Sequence, residues 1–277
     1  MSYAISLSGL QNAQTDLSVI GNNIANANTT GFKESNVQFA NLVAASAYSN
    51  PKDIQGIGST VSAINQNFSQ GPINQTGSAL DLAITGDGFF TVTSPITTQT
   101  YYTRNGNFSL DSTTAATSGN SYIVDSNGNR LQALPTSATG TVTSTTPTDA
   151  TVPATDAAGS AFSGVTIAAN GNISASYADG SNTVIGKVAL AAFAAPEGLK
   201  QVGSADYTAT GLSGTATFGA PNSGQYGSLL SGSLEASNVD LSSEMVNLIT
   251  AQQYFQANAK AIDTNTTISE AIINLHS

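Results

Sequence analysis

Two stretches of this chain, one at each end, repeat apolar or small residues at alternating steps of three and four. Leu10, Ala13, Leu17, Ile20, Ile24 and Ala27 keep this rhythm near the start; Leu241, Met245, Leu248, Gln252, Phe255, Ala259, Ile262 and Thr266 keep it near the end. Each is the seam of a coiled-coil-like helix. Isolated helices of this length are marginal in water, and a stripe this narrow needs a partner, so the pattern predicts that the two ends of the chain pair. The first helix is predicted over about residues 5–27, with Gly31 supplying the left-handed turn that stops it. The last opens at residues 237–240, whose side-chain oxygens cap it, with Asp240 and Glu244 at the favourable end of its dipole. Gly21, Asn22, Asn23 and Asn26 are poor helix formers. Either the helix frays there, or small and amide side chains let neighbouring helices approach and hydrogen-bond.

Between the ends the period changes to that of strands. β-branched and aromatic runs are separated by Asp87-Gly88, Asn105-Gly106, Asn127-Gly128, Asn170-Gly171 and Asp179-Gly180, which predict the hairpins of a mostly antiparallel body. The fold class is therefore α+β: paired N- and C-terminal coiled-coil-like helices plus an all-β body, with discontinuous domains. Residues 1–33 and 236–277 make the helical domain, and residues 71–132 and 165–235 the β body. Periodicity fades over residues 34–70, which read as a connector or a segment ordered only against neighbours. Residues 133–164 are dominated by Thr, Ser, Ala and Gly, and read as a reduced, variable surface insertion, either two short strands or a flexible flap.

Charged residues make up only 9% of the 277, and seven basic residues leave a net charge of -10. Without a basic patch there is no case for nucleic acid or an anionic membrane as partner. A surface poor in Lys and Glu suits large protein–protein contacts. Cysteine is absent, no run approaches ~20 apolar residues, and the first twenty residues lack a basic leader, so no thiol chemistry, membrane insertion or cleaved signal peptide is expected. An enzyme has little to work with. The single histidine, His276, is next to the last residue, and no nucleophile elbow, phosphate loop or zinc motif is present. Residues 125–129 resemble part of a calcium loop, but Arg130 stands where glycine is required, so an Asn-Gly turn is the better reading. No catalytic, cofactor or metal residue is assigned.

Four ordered blocks then resemble the flagellar rod and hook axial-protein family. They are Leu-Ser-Gly-Leu at 7–10 with Gly-Asn-Asn-Ile-Ala-Asn-Ala-Asn-Thr-Thr-Gly-Phe-Lys at 21–33; Leu-Asp-Leu-Ala-Ile-Thr-Gly-Asp-Gly-Phe-Phe at 80–90; Tyr-Thr-Arg-Asn-Gly-Asn-Phe at 102–108; and Gly-Ser-Leu-Glu-Ala-Ser-Asn-Val-Asp-Leu at 232–241, continuing through Glu244-Met245 to Gln-Gln-Tyr-Phe-Gln-Ala-Asn at 252–258. Residues 39–46 and the hairpin at 172–180 look like the hook branch. The short 133–164 stretch, where hook proteins carry a sizeable outer domain, keeps the rod branch open, and a secreted β-rich adhesin is a remoter alternative. The resemblance implies export through the flagellar type III apparatus and polymerisation of the chain with itself into a helical tube, the extracellular hook, which passes torque from rod to filament. It also implies the distal rod protein, the hook cap and the hook–filament junction protein as partners. Contacts between subunits are expected at Leu10, Leu17, Ile20, Asn22, Asn23, Ile24 and Asn26 of the first helix. On the last helix they are expected at Leu241, Met245, Leu248, Ile249, Phe255 and Ile262.

Overall fold

The computed structural model describes residues 2–44, 55–111, 119–137 and 140–274; His276 and the Ala45-Ser46 part of the hook-like stretch fall outside them. The described chain forms two compact units. One comprises residues 1–27, 34–67 and 239–277, the other residues 28–33 and 68–238.

In the first unit, helix α1 (Ser2–Ala25) and helix α2 (Leu241–Asn274) run antiparallel against each other, joined by a hairpin of β1 (Ser35–Ala44) and β2 (Gln55–Gln66). Asp240 starts α2, its Oδ1 accepting the Ser242 N–H at 2.8 Å, a cap that the sequence foreshadows. The stripe that α2 turns inward differs from the expected seam. It runs Glu244, Leu248, Ala251, Phe255, Asn258, Ile262, while Leu241, Met245, Gln252 and Thr266 are exposed. The cause is local packing. A side chain at Gly9 would collide with Asn258, so the helices approach closely where a glycine faces a compact amide, and that contact fixes the rotation of α2. Residues 34–66, read from sequence as lacking periodicity, are mainly the long hairpin. Its register shifts at Gln38/Phe39 and at Leu42/Val43, and bulges of this kind erase a strict two-residue alternation.

The second unit is the β body, and all the strand pairs among the described residues are antiparallel. The main sheet runs, in spatial order, through Phe162–Ile167, Asn172–Tyr177, Asn182–Val188, Arg130–Leu134, Phe89–Thr93, Thr100–Thr103, Asp206–Thr208 and Lys200–Gly203. Its main core gathers Leu82, Ile84, Phe90, Val92, Ile123, Leu131, Ile173, Val188 and Leu190, all at most 1% exposed.

The turn signals divide into two kinds. Asn127-Gly128, Asn170-Gly171 and Asp179-Gly180 do close hairpins. Asp87-Gly88 and Asn105-Gly106 do not. Leu82–Thr85 pairs with Ser228–Ser231 rather than with Phe89–Thr93, and Ser109–Asp111 pairs with Asn120–Val124 rather than with Thr100–Thr103. At Gly106 the reason for glycine is a close approach. Its carbonyl accepts the Leu82 N–H at 2.9 Å, and a Cβ there would run into the Leu82 carbonyl.

Of the two forms expected for residues 133–164 the strands are seen, Thr148–Asp149 and Thr151–Pro153, paired to Arg130–Leu134 and Asn120–Val124. The difference from a surface insertion is in how deep the segment reaches. Ala150 and Val152, each 1% exposed, belong to the main core. Low hydrophobicity over the whole segment hid two well-placed apolar residues.

Candidate functional site

The densest polar site in the β body is built from three residues far apart in sequence. Lys33 follows the turn after α1, Arg104 leaves the strand Thr100–Thr103, and Glu235 ends the strand Ser233–Glu235. Glu235 Oε1 accepts from Lys33 Nζ at 2.7 Å and from the Gly71 N–H at 2.9 Å, and its Oε2 faces Arg104 Nη1 at 3.3 Å. The remaining donors go to main-chain carbonyls: Lys33 Nζ to Ser69 at 2.7 Å and Arg104 Nη2 to Gly86 at 2.9 Å. Arg104 Nε has no acceptor, and the guanidinium lies 5.3 Å from the centre of the Phe89 ring. The Gly31 N–H donates to the Glu235 carbonyl at 2.8 Å, and with φ +69° and no room for a Cβ against the backbone of Arg104 and Asn105, position 31 requires glycine.

All three charged side chains are almost fully buried. Burial pushes the Lys33 ammonium pKa down, opposed by the adjacent Glu235 carboxylate; burial lowers Arg104 too, opposed by Glu235 and then Asp87. The charged groups are spent on one another and on main-chain partners. What the arrangement does is join four backbone segments at one point, because a buried carboxylate between two cations tolerates little displacement. Sequence reasoning assigned Glu235 no role and missed this site. The available signal was that Lys33, Arg104 and Glu235 each sit inside one of the recognised blocks.

A second polar cluster joins two turns of the β body. Asp125 Oδ1 accepts the N–H groups of Asn127 and Asn129, both at 2.8 Å, and Asn127 Nδ2 donates to Asp206 Oδ2 at 3.0 Å. Residues 125–129 are thus a turn closed on its own carboxylate. Burial, and then the nearby Asp125 charge, raise the Asp206 pKa to about 6.

In the first unit, the expected contact residues separate into three groups. Ile20 and Asn23 are buried within the unit, and Asn23 grips the start of β1 by both amide atoms, donating to the Ser35 carbonyl at 2.9 Å and accepting its N–H at 3.0 Å. Leu10, Leu17, Ile24, Asn26, Leu248, Phe255 and Ile262 are half-buried. Asn22, Leu241, Met245 and Ile249 are exposed. More apolar surface lies beside this last group: Val246, Tyr254, Ile268 and Ile272 on α2, and Phe39, Leu42, Val43 and Ile64 on the hairpin, each more than 40% exposed.

Three family models match this chain in order: "Flagella basal body rod protein" over residues 5–33, "Flagellar hook protein FlgE/F/G D1 domain" over 83–175, and "Flagellar basal body rod FlgEFG protein C-terminal" over 230–275. The flagellar basal-body rod protein FlgG of Bacillus subtilis is 38% identical across 97% of this chain and 96% of its own length. This chain belongs to the flagellar rod and hook family. The flagellar hook protein FlgE of Salmonella typhimurium is 28% identical across 99% of this chain and all of its own length, in an alignment of 413 positions. A crystal structure of the Helicobacter pylori flagellar hook protein FlgE2 matches 47% of this chain and 37% of that one, at 21% identity and a TM-score of 0.22. The rod and hook relatives are structural proteins, not enzymes. Each matched family segment supplies one member of the buried ionic site: Lys33 ends the first, Arg104 lies in the second and Glu235 in the third.

Proposed function

We propose that the chain polymerises with copies of itself into a helical tube and that this tube is the flagellar hook, the joint that passes torque from rod to filament outside the cell. The observation that carries the polymer reading is the exposed apolar surface of α2 and of the β1–β2 hairpin. Large apolar side chains exposed in such number suit a surface that other copies cover. In this reading α1 and α2 pair as in a coiled coil and line the inside of the tube, and Leu10, Asn22, Leu241, Met245 and Ile249 meet neighbouring subunits. Such contacts join different patches on successive copies, so they extend into a filament instead of closing.

The low charge supports a hook in particular. A tube that bends as it turns must let its subunit contacts shift, and polar, weakly charged surfaces change register without breaking ion pairs. The ion pairs Lys33–Glu235, Arg104–Glu235 and Arg130–Asp149 lie in the β body. As a hook subunit the chain would be exported by the flagellar type III apparatus and would meet the distal rod protein, the hook cap and the hook–filament junction protein.

A rod subunit is the second reading. It is favoured by the 38% identity to a protein named for the rod, over nearly the full length of both chains. Electron microscopy of purified protein tests the polymer, which should appear as tubes. Gold labelling of an epitope-tagged chain on isolated basal bodies tests the placement: label beyond the outer-membrane ring supports the hook, and label confined below it supports the rod.

A further inference from the structure

A cavity of about 260 Å³ in the first unit lies where α1, α2 and β1 meet, and its polar lining is acidic or neutral: Asp16, Asn23, Ser35, Glu244, Asn247 and Thr250. Glu244 is only 3% exposed, and its Oε2, on the cavity lining, has no hydrogen-bond partner. A buried carboxylate oxygen left in this state is costly unless a donor reaches it. Glu34, ahead of β1, adds a further carboxylate beside Glu244, and the other charge acting on Glu244 is Asp16; both are acidic. Asn23 and Glu34 also hydrogen-bond the Glu244 carboxyl, yet its Oε2 stays unpaired and the residues lining the cavity include no cation.

We propose that this cavity is the socket for the Lys260 ammonium of a second copy of the chain. The inference rests on the polymer reading above and specifies one of its contacts. Charge complementarity selects the occupant. Lys33 and Arg104 are committed to Glu235, and Arg130 pairs with Asp149 at 2.9 Å. Of the other described basic residues, Lys187 and Lys200 belong to the β body, whereas Lys260 stands exposed on α2, the helix whose apolar surface the polymer reading already places against a neighbouring copy. It cannot fill its own socket. Sixteen residues of helix separate it from Glu244, about 24 Å at about 1.5 Å per residue, several times the length of a lysine side chain. A lysine from one copy entering the socket of the next is a contact between different patches, the kind that propagates.

The contact carries a proton linkage. Burial, and then the Glu34 charge, raise the Glu244 pKa in the free chain, and burial raises Asp16. An incoming ammonium favours the ionised carboxylate, so docking releases protons wherever the free socket still holds them. Tubes therefore weaken as the pH falls through the raised range of Glu244.

The test uses full-length protein assembled from an equal mixture of isotope-labelled and unlabelled chains, cross-linked with a carbodiimide that joins amines directly to carboxylates. The expected result is a Lys260 linkage to Glu244, Asp16 or Glu34 in peptides carrying one labelled and one unlabelled partner. Lys260→Gln, a change at an exposed position, should raise the critical concentration for assembly about tenfold or more. Adding Glu244→Gln to it should cost little further. Tubes in which Lys260 links elsewhere, or in which Lys260→Gln assembles at the wild-type concentration, would overturn the socket and leave the polymer reading standing. Wild-type protein that forms no tubes at all would instead overturn the polymer reading, and the socket with it.

Discussion

Replacing Glu235 by Gln keeps the shape of the buried ionic site and removes its only negative charge. Glu235 and Lys33 are fully buried, and the Arg104 side chain is 4% exposed, so solvent screens little of the loss. After the change Lys33 has lost its counter-ion and Arg104 keeps the smaller influence of Asp87. Breaking a buried pair by removing one partner typically costs about 3–5 kcal/mol. For a body of this size each kcal/mol moves the melting temperature by roughly 2–4 °C, so the expected fall is about 6–20 °C. The direct assay is thermal unfolding of the monomeric full chain, followed by circular dichroism in the β region. A double-mutant cycle with Lys33→Met isolates the cause. With one cation gone, Glu235→Gln should cost less than it does alone, giving a coupling of about 1–3 kcal/mol. A Glu235→Gln shift below about 1 kcal/mol, or strictly additive single changes, would show that Glu235 does not organise the four segments it touches.

Asp206 gives a pH signature: with its pKa raised to about 6, its stabilising contribution is fully present below the unfolded value near 3.8 and is lost as the pH rises through about 6. Asp206→Asn should therefore raise the melting temperature at pH 7 and flatten the slope between pH 4 and 7, measured by calorimetry. Excising residues 133–164 should prevent the β body from folding, because it removes Ala150 and Val152 from the core and the strands that cover Asn120–Val124; soluble, cooperatively melting protein would contradict this. Leu248→Asp should disrupt the pairing of α1 with α2 and lower monomer helicity, whereas Ile249→Asp, at a position 55% exposed, should leave the monomer unchanged and block tubes, both judged by circular dichroism and electron microscopy.

The helices, their cap and the antiparallel body were legible in the sequence because each rests on local chemistry: a heptad rhythm, an Asp at the helix start, Asn-Gly at tight turns. The hairpin at 34–66 was not, because its bulges move side chains between faces and destroy the period that sequence reading depends on. Asp87-Gly88 and Asn105-Gly106 misled for a related reason. Glycine serves both a turn and a close backbone approach, and only the long-range neighbour, the Leu82 carbonyl in the case of Gly106, distinguishes them. The ionic site escaped notice because its members are 71 and 131 residues apart and only tertiary structure brings them together. Asn23 was legible in part: the amides of α1 were expected to hydrogen-bond a neighbour, and Asn23 does so, although the neighbour is the first residue of β1 and not another helix.

The displaced seam of α2 bears on the proposed assembly. Leu248, Phe255 and Ile262 turn toward α1, yet Met245 and Ile249 near the start of α2, and Ile268 and Ile272 near its end, stay exposed on other faces. A helix that keeps large apolar side chains outside its one buried stripe is suited to a bundle larger than its own unit supplies. Fully burying a side chain such as Ile249 is worth about 1.5–3 kcal/mol, so several such residues in each copy would give assembly a drive that the folded single chain leaves unused. Because that drive resides on α2 and the ionic site resides in the β body, changes at Ile249 should affect assembly without affecting folding, and changes at Glu235 should do the reverse at the level of the monomer.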